Sequence, residues 1–273
     1  MSRFGLIGNP ISHSKSPALF EAGYGKCSHT YSLFETQTAS QAMELFKNSD
    51  IKGVNVTSPF KDEVMSFVTR PDRISSILGS ANVLLKDGGS KDILSYNTDY
   101  YGVKNTIENF ISRLDTASVH FGGVTRTADE KTRLKVAVVG AGGAGKAAAL
   151  AMCDSGYEVT LVNRSAGKIK EFAESIGAVY APLDGIAEVL AGSDILIYSL
   201  AFPVAGIENV DFRGKVVFEA NYARPSLSGL SRVESVVYID GRYWLYHQAV
   251  PAFELFTGEL PNLLEMRNVM GIE

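Results

Sequence analysis

An apolar run, Leu134-Lys135-Val136-Ala137-Val138-Val139, passes directly into Gly140-Ala141-Gly142-Gly143-Ala144-Gly145 and then into Lys146-Ala147-Ala148-Ala149-Leu150. A near-continuous apolar run is what a strand covered on both faces of a parallel sheet requires. The alanines that follow favour helix. A strand, a glycine turn and a helix in that order commit the chain to a βα unit, and so to an α/β architecture. Glycine lets the backbone turn tightly and approach a pyrophosphate. The helix N-terminus then offers unpaired N–H groups and the positive end of its dipole. Gly140, Ala141, Gly142, Gly143 and Ala144 are therefore a candidate dinucleotide cradle. The same pattern also fits a tight strand–helix turn that holds no ligand.

The next apolar strand ends at Val162-Asn163-Arg164-Ser165. A site selective for NAD usually carries Asp or Glu there, accepting from the ribose 2′-hydroxyl. This chain has Arg164 instead, beside Asn163, with Lys168 four residues on. A pair of cations suits a 2′-phosphate, which points to NADP. The alternative is that both are solvated residues at a helix start.

Short apolar segments alternate with helical patterns along the rest of the chain. Strands are expected at Phe4–Ile7, Thr30–Phe34, Gly53–Val56, Ala81–Leu85 and Ile93–Tyr96, with Lys86-Asp87-Gly88-Gly89 as a hairpin turn between the last two. Helices are expected from Ser16, over Ala39–Lys47, and after Pro59. Strands separated by helices imply βαβ units and a largely parallel sheet. A helix after Asp99 places Val103, Ile107, Phe110 and Leu114 on one face. Asp115–Arg133 is polar and without periodicity, and reads as a linker or an excursion between domains. Beyond it, Leu134–Val139, Glu158–Val162, Asp194–Tyr198, Lys215–Phe218 and Ser235–Ile239 form the strands of a second α/β domain. After Gly241 a helix buries Leu245, Val250, Phe253 and Phe256, and a last helix spans Asn262–Met270.

Composition narrows the function classes. The 273 residues are 45% hydrophobic and 21% charged with a net charge of −4, as in a soluble chain with no expected affinity for nucleic acid. No apolar run reaches the ~18 residues of a membrane span. The N-terminus lacks the basic and apolar regions of a secretion signal. These features predict a cytoplasmic protein with free thiols at Cys27 and Cys153 rather than a disulfide. No group of His, Cys and acidic residues has metal-ligand spacing.

Upstream of the glycine loop lie three polar runs: Gly8-Asn9-Pro10-Ile11-Ser12-His13-Ser14-Lys15-Ser16-Pro17, Asn55-Val56-Thr57-Ser58-Pro59-Phe60-Lys61, and Asn97-Thr98-Asp99. Ser14 and Ser16 place two short hydroxyls together, suited to a carboxylate. Ser16 before Pro17 also reads as a helix N-cap. Lys61 falls where a helix is expected to start, an unfavourable end for a cation, and this eases proton transfer near neutral pH. A solvent-facing lysine is the plainer reading. Asp99 follows a strand and could cap the next helix. Asn55, Thr57, Asn82 and Gln248 are neutral polar groups suited to the hydroxyls of a polyol ring.

These three runs, with Ser80-Ala81-Asn82, the glycine loop and Gln248, resemble the shikimate dehydrogenase family in order and spacing, over nearly the whole chain. The resemblance implies two α/β domains with the active site in a cleft between them. It implies a substrate-binding and catalytic domain over residues 1–101 plus 241–273, and an NADP-binding domain over 102–240. The implied activity is the NADP-dependent interconversion of 3-dehydroshikimate and shikimate, in chorismate and aromatic amino-acid biosynthesis. Lys61 and Asp99 become the catalytic pair. Ser14, Ser16, Thr57, Asn82, Asp99, Tyr222 and Gln248 become substrate contacts. Leu200 and Tyr243 fall on the nicotinamide side. Asn55 and His13 are read as bracing their loops, and His247 as structural. The implied partner is a small-molecule substrate, with the chain a monomer or homodimer.

The chain departs from the family's pattern at Tyr198-Ser199-Leu200-Ala201, at Gly241-Arg242-Tyr243-Trp244-Leu245, where Tyr243 replaces a glycine, and in the length of Asp115–Arg133. The first two departures leave open a quinate/shikimate dehydrogenase of relaxed cofactor choice, or a ligand-binding relative with weak catalysis.

Overall fold

Apolar strands buried on both faces need layers on both faces, and the chain builds two sheets that meet this need. The computed structural model describes residues 1–25, 29–116 and 134–273. In chain order the elements are β1 (Arg3–Gly8), α1 (Ser16–Tyr24), β2 (Thr30–Glu35), α2 (Ala39–Asn48), β3 (Ile51–Val56), a 3₁₀ helix (Glu63–Phe67), β4 (Arg70–Pro71), α3 (Arg73–Leu78), β5 (Val83–Lys86), β6 (Ile93–Tyr96) and α4 (Asp99–Thr116). They continue with β7 (Lys135–Val139), α5 (Gly143–Asp154), β8 (Glu158–Asn163), α6 (Lys168–Ser175), β9 (Val179–Pro182), α7 (Ile186–Ala191), β10 (Ile195–Tyr198), β11 (Val216–Glu219), β12 (Val237–Asp240), α8 (Gly241–Thr257) and α9 (Leu263–Met270). Two compact units result, Met1–Gly102 with Leu245–Glu273, and Val103–Trp244. Among the described residues no helix is long and apolar enough to cross a membrane.

The first unit holds a six-stranded sheet in the order β2-β1-β3-β5-β6-β4. Strand alternation splits its core. Phe4 and Leu6 of β1 join Phe20, Tyr24 and Tyr31, together with Phe253, Phe256 and Met266 from α8 and α9. Ile7 joins Met43, Phe46, Val56, Phe60 and Val64 in a second cluster. Phe20 stacks on Tyr31 with ring centroids 4.3 Å apart, and Phe253 lies 5.3 Å from Tyr24. Asn262 caps α9, accepting from the Glu265 N–H at 3.3 Å, while its own N–H donates to the Gly23 carbonyl at 3.0 Å.

The second unit holds a fully parallel sheet in the order β12-β11-β10-β7-β8-β9. Counted from β9, the strands stand third, second, first, fourth, fifth and sixth within the unit. That is the dinucleotide-binding arrangement, with its switch of direction between β7 and β10. Ligands bind such sheets outside the carboxyl ends of the strands at the switch, which is where the glycine loop leaves β7.

Several local expectations change. The first sheet is mixed, because the β5–β6 hairpin runs antiparallel and β5 pairs antiparallel with β3. The segment after Pro59 is a turn followed by the 3₁₀ helix. Phe60 and Val64 are both buried, and the chain must reach β4 a few residues later, which leaves no room for a regular α-helix. Helix α4 continues through Asp115 to Thr116. The short strands β4 and β9 were not apparent in the sequence, since neither carries an apolar alternation. Cys27, the side chain of Leu114 and the span 117–133 lie outside the described residues.

Phe253 fixes the part of α8 that carries Gln248. Its ring packs on Phe20 and Tyr24, and it abuts Gly23, where no side chain would fit. Phe253→Ala is expected to cost about 3–5 kcal/mol. A fall in the urea midpoint of the first unit's unfolding checks this, and an unchanged midpoint would contradict it.

Candidate active site and cofactor cradle

In the first unit the carboxyl ends of β1, β3 and β6 lie beside the start of β5, because β5 runs against β3 and β6. The loops leaving these ends carry most of the polar residues singled out above. Lys61 Nζ lies 2.5 Å from Asp99 Oδ2, with side-chain exposures of 21% and 10%. Both backbones are pinned. The Lys61 carbonyl accepts from the Ala81 N–H at 2.9 Å, and the Asp99 N–H donates to Asn97 Oδ1 at 3.2 Å. Asn97 is fully buried and donates to the Ser80 carbonyl at 3.0 Å. Lys61 sits in the turn after Pro59, just before the 3₁₀ helix rather than at an α-helix start, and its ion-pair partner is Asp99. Asp99 is the first residue of α4, and its carboxylate accepts from Lys61.

Asn82, Thr98 and Gln248 form a buried cluster beside this pair. Asn82 Nδ2 donates to Thr98 Oγ1 at 3.0 Å and to Gln248 Oε1 at 3.2 Å, and Asn82 Oδ1 accepts from the Thr98 N–H at 2.7 Å. Gln248 Nε2 is held by the Leu245 carbonyl at 3.1 Å. Asn55 braces the cluster, donating to the Asn82 carbonyl at 3.2 Å and accepting from the Tyr31 hydroxyl at 2.8 Å. Thr57 is half-buried, with its N–H on the Ile7 carbonyl at 2.9 Å. Its methyl approaches Gly8 so closely that a Cβ there would come within 2.4 Å of it.

Ser14 and Ser16 lie 3.2 Å apart through their hydroxyls. Ser16 is not the N-cap of α1. Lys15 holds that position with helical backbone angles and no side-chain cap, and Ser14 Oγ accepts the Ser16 N–H at 3.2 Å. His13 is exposed and hydrogen-bonds no described residue. The loop is braced instead by Glu35, which accepts from the Ile11 N–H at 2.9 Å. His247 packs edge-on against Tyr246.

In the second unit Gly142 caps α5 without any side-chain bond, so the first N–H groups of this 12-residue helix are left for another acceptor. Gly140 has φ +98°, a left-handed value that favours glycine, and a Cβ on Gly145 would fall 1.9 Å from the Gly140 carbonyl oxygen. Nothing lies within 4 Å of a Cβ built on Gly142. The turn is thus tight on its protein side and open at the helix end, and Gly140, Ala141, Gly142, Gly143 and Ala144 fit a pyrophosphate there. Leu200 borders Gly140 across the switch between β7 and β10. Beside it Ser199 Oγ donates to the Val139 carbonyl at 2.9 Å. Asn163 Nδ2 holds the Ser165 carbonyl at 3.1 Å, and Arg164 and Lys168 are both exposed at that edge.

The bulky departures do not crowd the loop uniformly. Tyr198 is fully buried in the unit's core and donates to the Phe202 carbonyl at 2.6 Å; burial, with Glu219 nearby, pushes its phenol up to about 12. Trp244 is buried against Phe218. Tyr243 is half-buried, edge-on to Phe110 at 4.9 Å. Tyr222 is half-buried, and burial raises its phenol.

Four residues of these sites had no assigned role in the sequence reading. Thr98 and Asn97 could have been found from the Asn-Thr-Asp run itself. Tyr31 had no signal beyond its place in a strand. Glu219 ends the apolar strand Val216-Val217-Phe218, and that oddity was its signal. It is completely buried and accepts from the Ser226 and Leu227 N–H groups and the Tyr238 hydroxyl, fixing the loop that carries Tyr222.

Comparison with known proteins follows the same division. Residues 6–84 match the family described as "Shikimate dehydrogenase substrate binding domain", and residues 124–216 match "Shikimate / quinate 5-dehydrogenase". The crystal structure of shikimate dehydrogenase from Aquifex aeolicus superposes with a TM-score of 0.82 at 24% identity, over 98% of this chain and 97% of that one. Quinate dehydrogenase from Corynebacterium glutamicum, solved in complex with NAD, gives 0.80 at 22% identity, over 98% of each chain. Both likenesses are of fold. In sequence, shikimate dehydrogenase (NADP(+)) of Natronomonas pharaonis is 32% identical over 272 residues, covering 95% of this chain and 94% of that protein. At that identity over almost its full length, the chain belongs to the shikimate dehydrogenase family.

Proposed function

We propose that this chain reduces 3-dehydroshikimate to shikimate reversibly with NADP as cofactor, and that its first unit holds the substrate while its second holds the dinucleotide. The observation that carries the proposal is the Lys61–Asp99 pair, pinned beside the Asn82–Thr98–Gln248 cluster. A lysine at that distance from a carboxylate is a donor fixed in direction, with a neighbour able to accept a proton or a substrate hydroxyl.

When bound, the reduced dinucleotide supplies a hydride to the ring ketone carbon. Negative charge then develops on the carbonyl oxygen. Lys61 donates a proton to that oxygen, while Asp99 holds its ammonium and accepts from the adjacent ring hydroxyl. In the reverse direction Lys61 takes the proton back as the base. The Ser14–Ser16 pair receives the ring carboxylate. Thr57, Asn82, Gln248 and Tyr222 take up ring hydroxyls and the carboxylate end. Fixing both ends of the ring aims the reacting carbon.

Gly140, Ala141, Gly142, Gly143 and Ala144 hold the pyrophosphate at the start of α5. Arg164 and Lys168, with Asn163 shaping the turn, receive the ribose 2′-phosphate. Leu200 and Tyr243 border the nicotinamide. The family model named for both shikimate and quinate keeps quinate as the second substrate to be assayed.

Turnover of shikimate and quinate, each offered with NADP+ and with NAD+, tests the proposal directly. Oxidation of shikimate with NADP+ in clear preference supports it, and binding without turnover contradicts it. Lys61→Ala is expected to lower kcat by about 10²–10⁴-fold while the Kd for NADP+, read by calorimetry, stays the same. Unaltered kcat would remove Lys61 from the chemistry. Replacing Arg164 by Asp is expected to lower the preference for NADP+ over NAD+ by about tenfold or more, the size of one charge-assisted hydrogen bond. An unchanged ratio of kcat/KM values would refute the phosphate assignment.

A further inference from the structure

Ser199 stands at the switch between β7 and β10, on the protein side of the glycine turn. Its Oγ lies 2.9 Å from the Val139 carbonyl oxygen and 3.2 Å from that of Gly140. A Cβ built on Gly140 would come within 2.6 Å of this hydroxyl, and one built on Gly145 within 2.8 Å. The hydroxyl therefore fills the inside of the turn, between its first and last glycine. The Ser199 backbone is fixed as well. Its N–H donates to the Val139 carbonyl at 2.9 Å, and the Ala220 N–H holds the preceding Tyr198 carbonyl at 2.8 Å. The buried Tyr198 donates its hydroxyl to the Phe202 carbonyl at 2.6 Å and so closes the segment that follows.

Gly140 is thus held from both neighbours of β7. Its N–H donates to the Val162 carbonyl of β8 at 2.9 Å, and its carbonyl accepts from Ser199, just past β10. A glycine with φ +98° has no Cβ to bias the peptide that follows it. Glycine alone leaves the Gly140–Ala141 peptide free to turn either its carbonyl or its N–H outward. A carbonyl oxygen turned outward would meet a pyrophosphate with like partial charge and oppose its binding at the start of α5. Ser199 removes that choice. The Gly140 carbonyl stays on the protein side, and the open first turn of α5 is left without that oxygen in competition.

We propose that Ser199 is a positioning residue for the dinucleotide pyrophosphate: it donates inward to the Val139 and Gly140 carbonyls and sets the turn for an anion before one arrives. This rests on the reading of residues 140–144 as the dinucleotide cradle. Ser199 offers the ligand no proton of its own, because its single hydroxyl proton is shared between two backbone carbonyls. Its effect is confined to the part of the cofactor that lies on the turn. The 2′-phosphate, assigned to Arg164 and Lys168 just after β8, does not depend on it.

The test is calorimetric binding to the full-length chain with two probes. NADP+ carries both the pyrophosphate and the 2′-phosphate, and adenosine 2′-monophosphate carries only the latter. Ser199→Ala is expected to raise the Kd for NADP+ about fivefold, the loss of one ordinary hydrogen bond. The Kd for adenosine 2′-monophosphate, read by displacement of NADP+, should move by less than about twofold, as for an independent site. Ser199→Thr keeps the hydroxyl and should return the Kd for NADP+ to within about twofold of the parent value. Ser199→Cys, whose S–H is a weaker donor, should fall between Thr and Ala. Thermal unfolding shows whether each variant folds, and where Ala does not, Cys against Thr carries the same comparison. An unchanged Kd for NADP+ would overturn the proposal, whatever happens to the unfolding temperature. Equal losses for both probes would overturn it too, since a general loosening of the unit produces that result. Failure of the parent chain to bind NADP+ more tightly than adenosine 2′-monophosphate would instead overturn the cradle reading, and the proposal with it.

Discussion

A polar group taken out of water must find a partner inside the protein, at a cost of roughly 1–3 kcal/mol if it does not. The first unit depends on that constraint. Asn55, Asn82, Asn97, Thr98, Asp99 and Gln248 are all buried, and each is bonded to another member of the group or to a nearby backbone. These residues come from β3, from the loops before β5 and after β6, from the start of α4 and from α8. A network that ties together segments this far apart in the chain holds the strand ends in register. It also holds the side chains that face a ligand, so the site is rigid because the core beneath it is polar and satisfied.

The second unit solves a different problem with different means. Its cradle is built almost without side chains: a left-handed glycine at Gly140, a glycine contact at Gly145 and the open first turn of α5. Backbone N–H groups and the helix dipole do the work there. Side chains enter at the rim, where Arg164 and Lys168 stand exposed. One unit reads its ligand with converging polar side chains, the other with backbone geometry. This matches the chemistry of a small polyhydroxylated ring on one hand and a pyrophosphate on the other.

The departures at Tyr198 and Trp244 take on a plainer meaning once their surroundings are known. Tyr198 satisfies its hydroxyl on the Phe202 carbonyl and fills the core, and Trp244 packs on Phe218. Both side chains pack within the unit, although the buried Trp244 Nε1 has no hydrogen-bond partner among the described residues. Tyr243 alone among them keeps a partly exposed ring.

Much was legible in the sequence because periodicity and glycine placement are local signals. The strand Leu134–Val139, its glycine turn and the Ala-rich helix could be read directly, as could the strands of both sheets other than β4 and β9, each being set by neighbours within a few residues. The sequence alone also determined which chemistry was available: Lys61, Asp99, two serines and a set of amides. Whatever depended on distant partners was decided by tertiary structure. The antiparallel pairing of β5 with β3 placed the hairpin inside the first sheet and made that sheet mixed. The burial of Phe60 and Val64 replaced an expected α-helix by a 3₁₀ turn, and folding brought Lys61 its partner Asp99 from 38 residues along the chain. Tyr31 and Glu219 acquired their roles from groups brought to them by folding, across 24 residues of chain for Tyr31 and Asn55. Hydrogen bonds and burial act through space, so their assignments appear only when the chain has closed on itself.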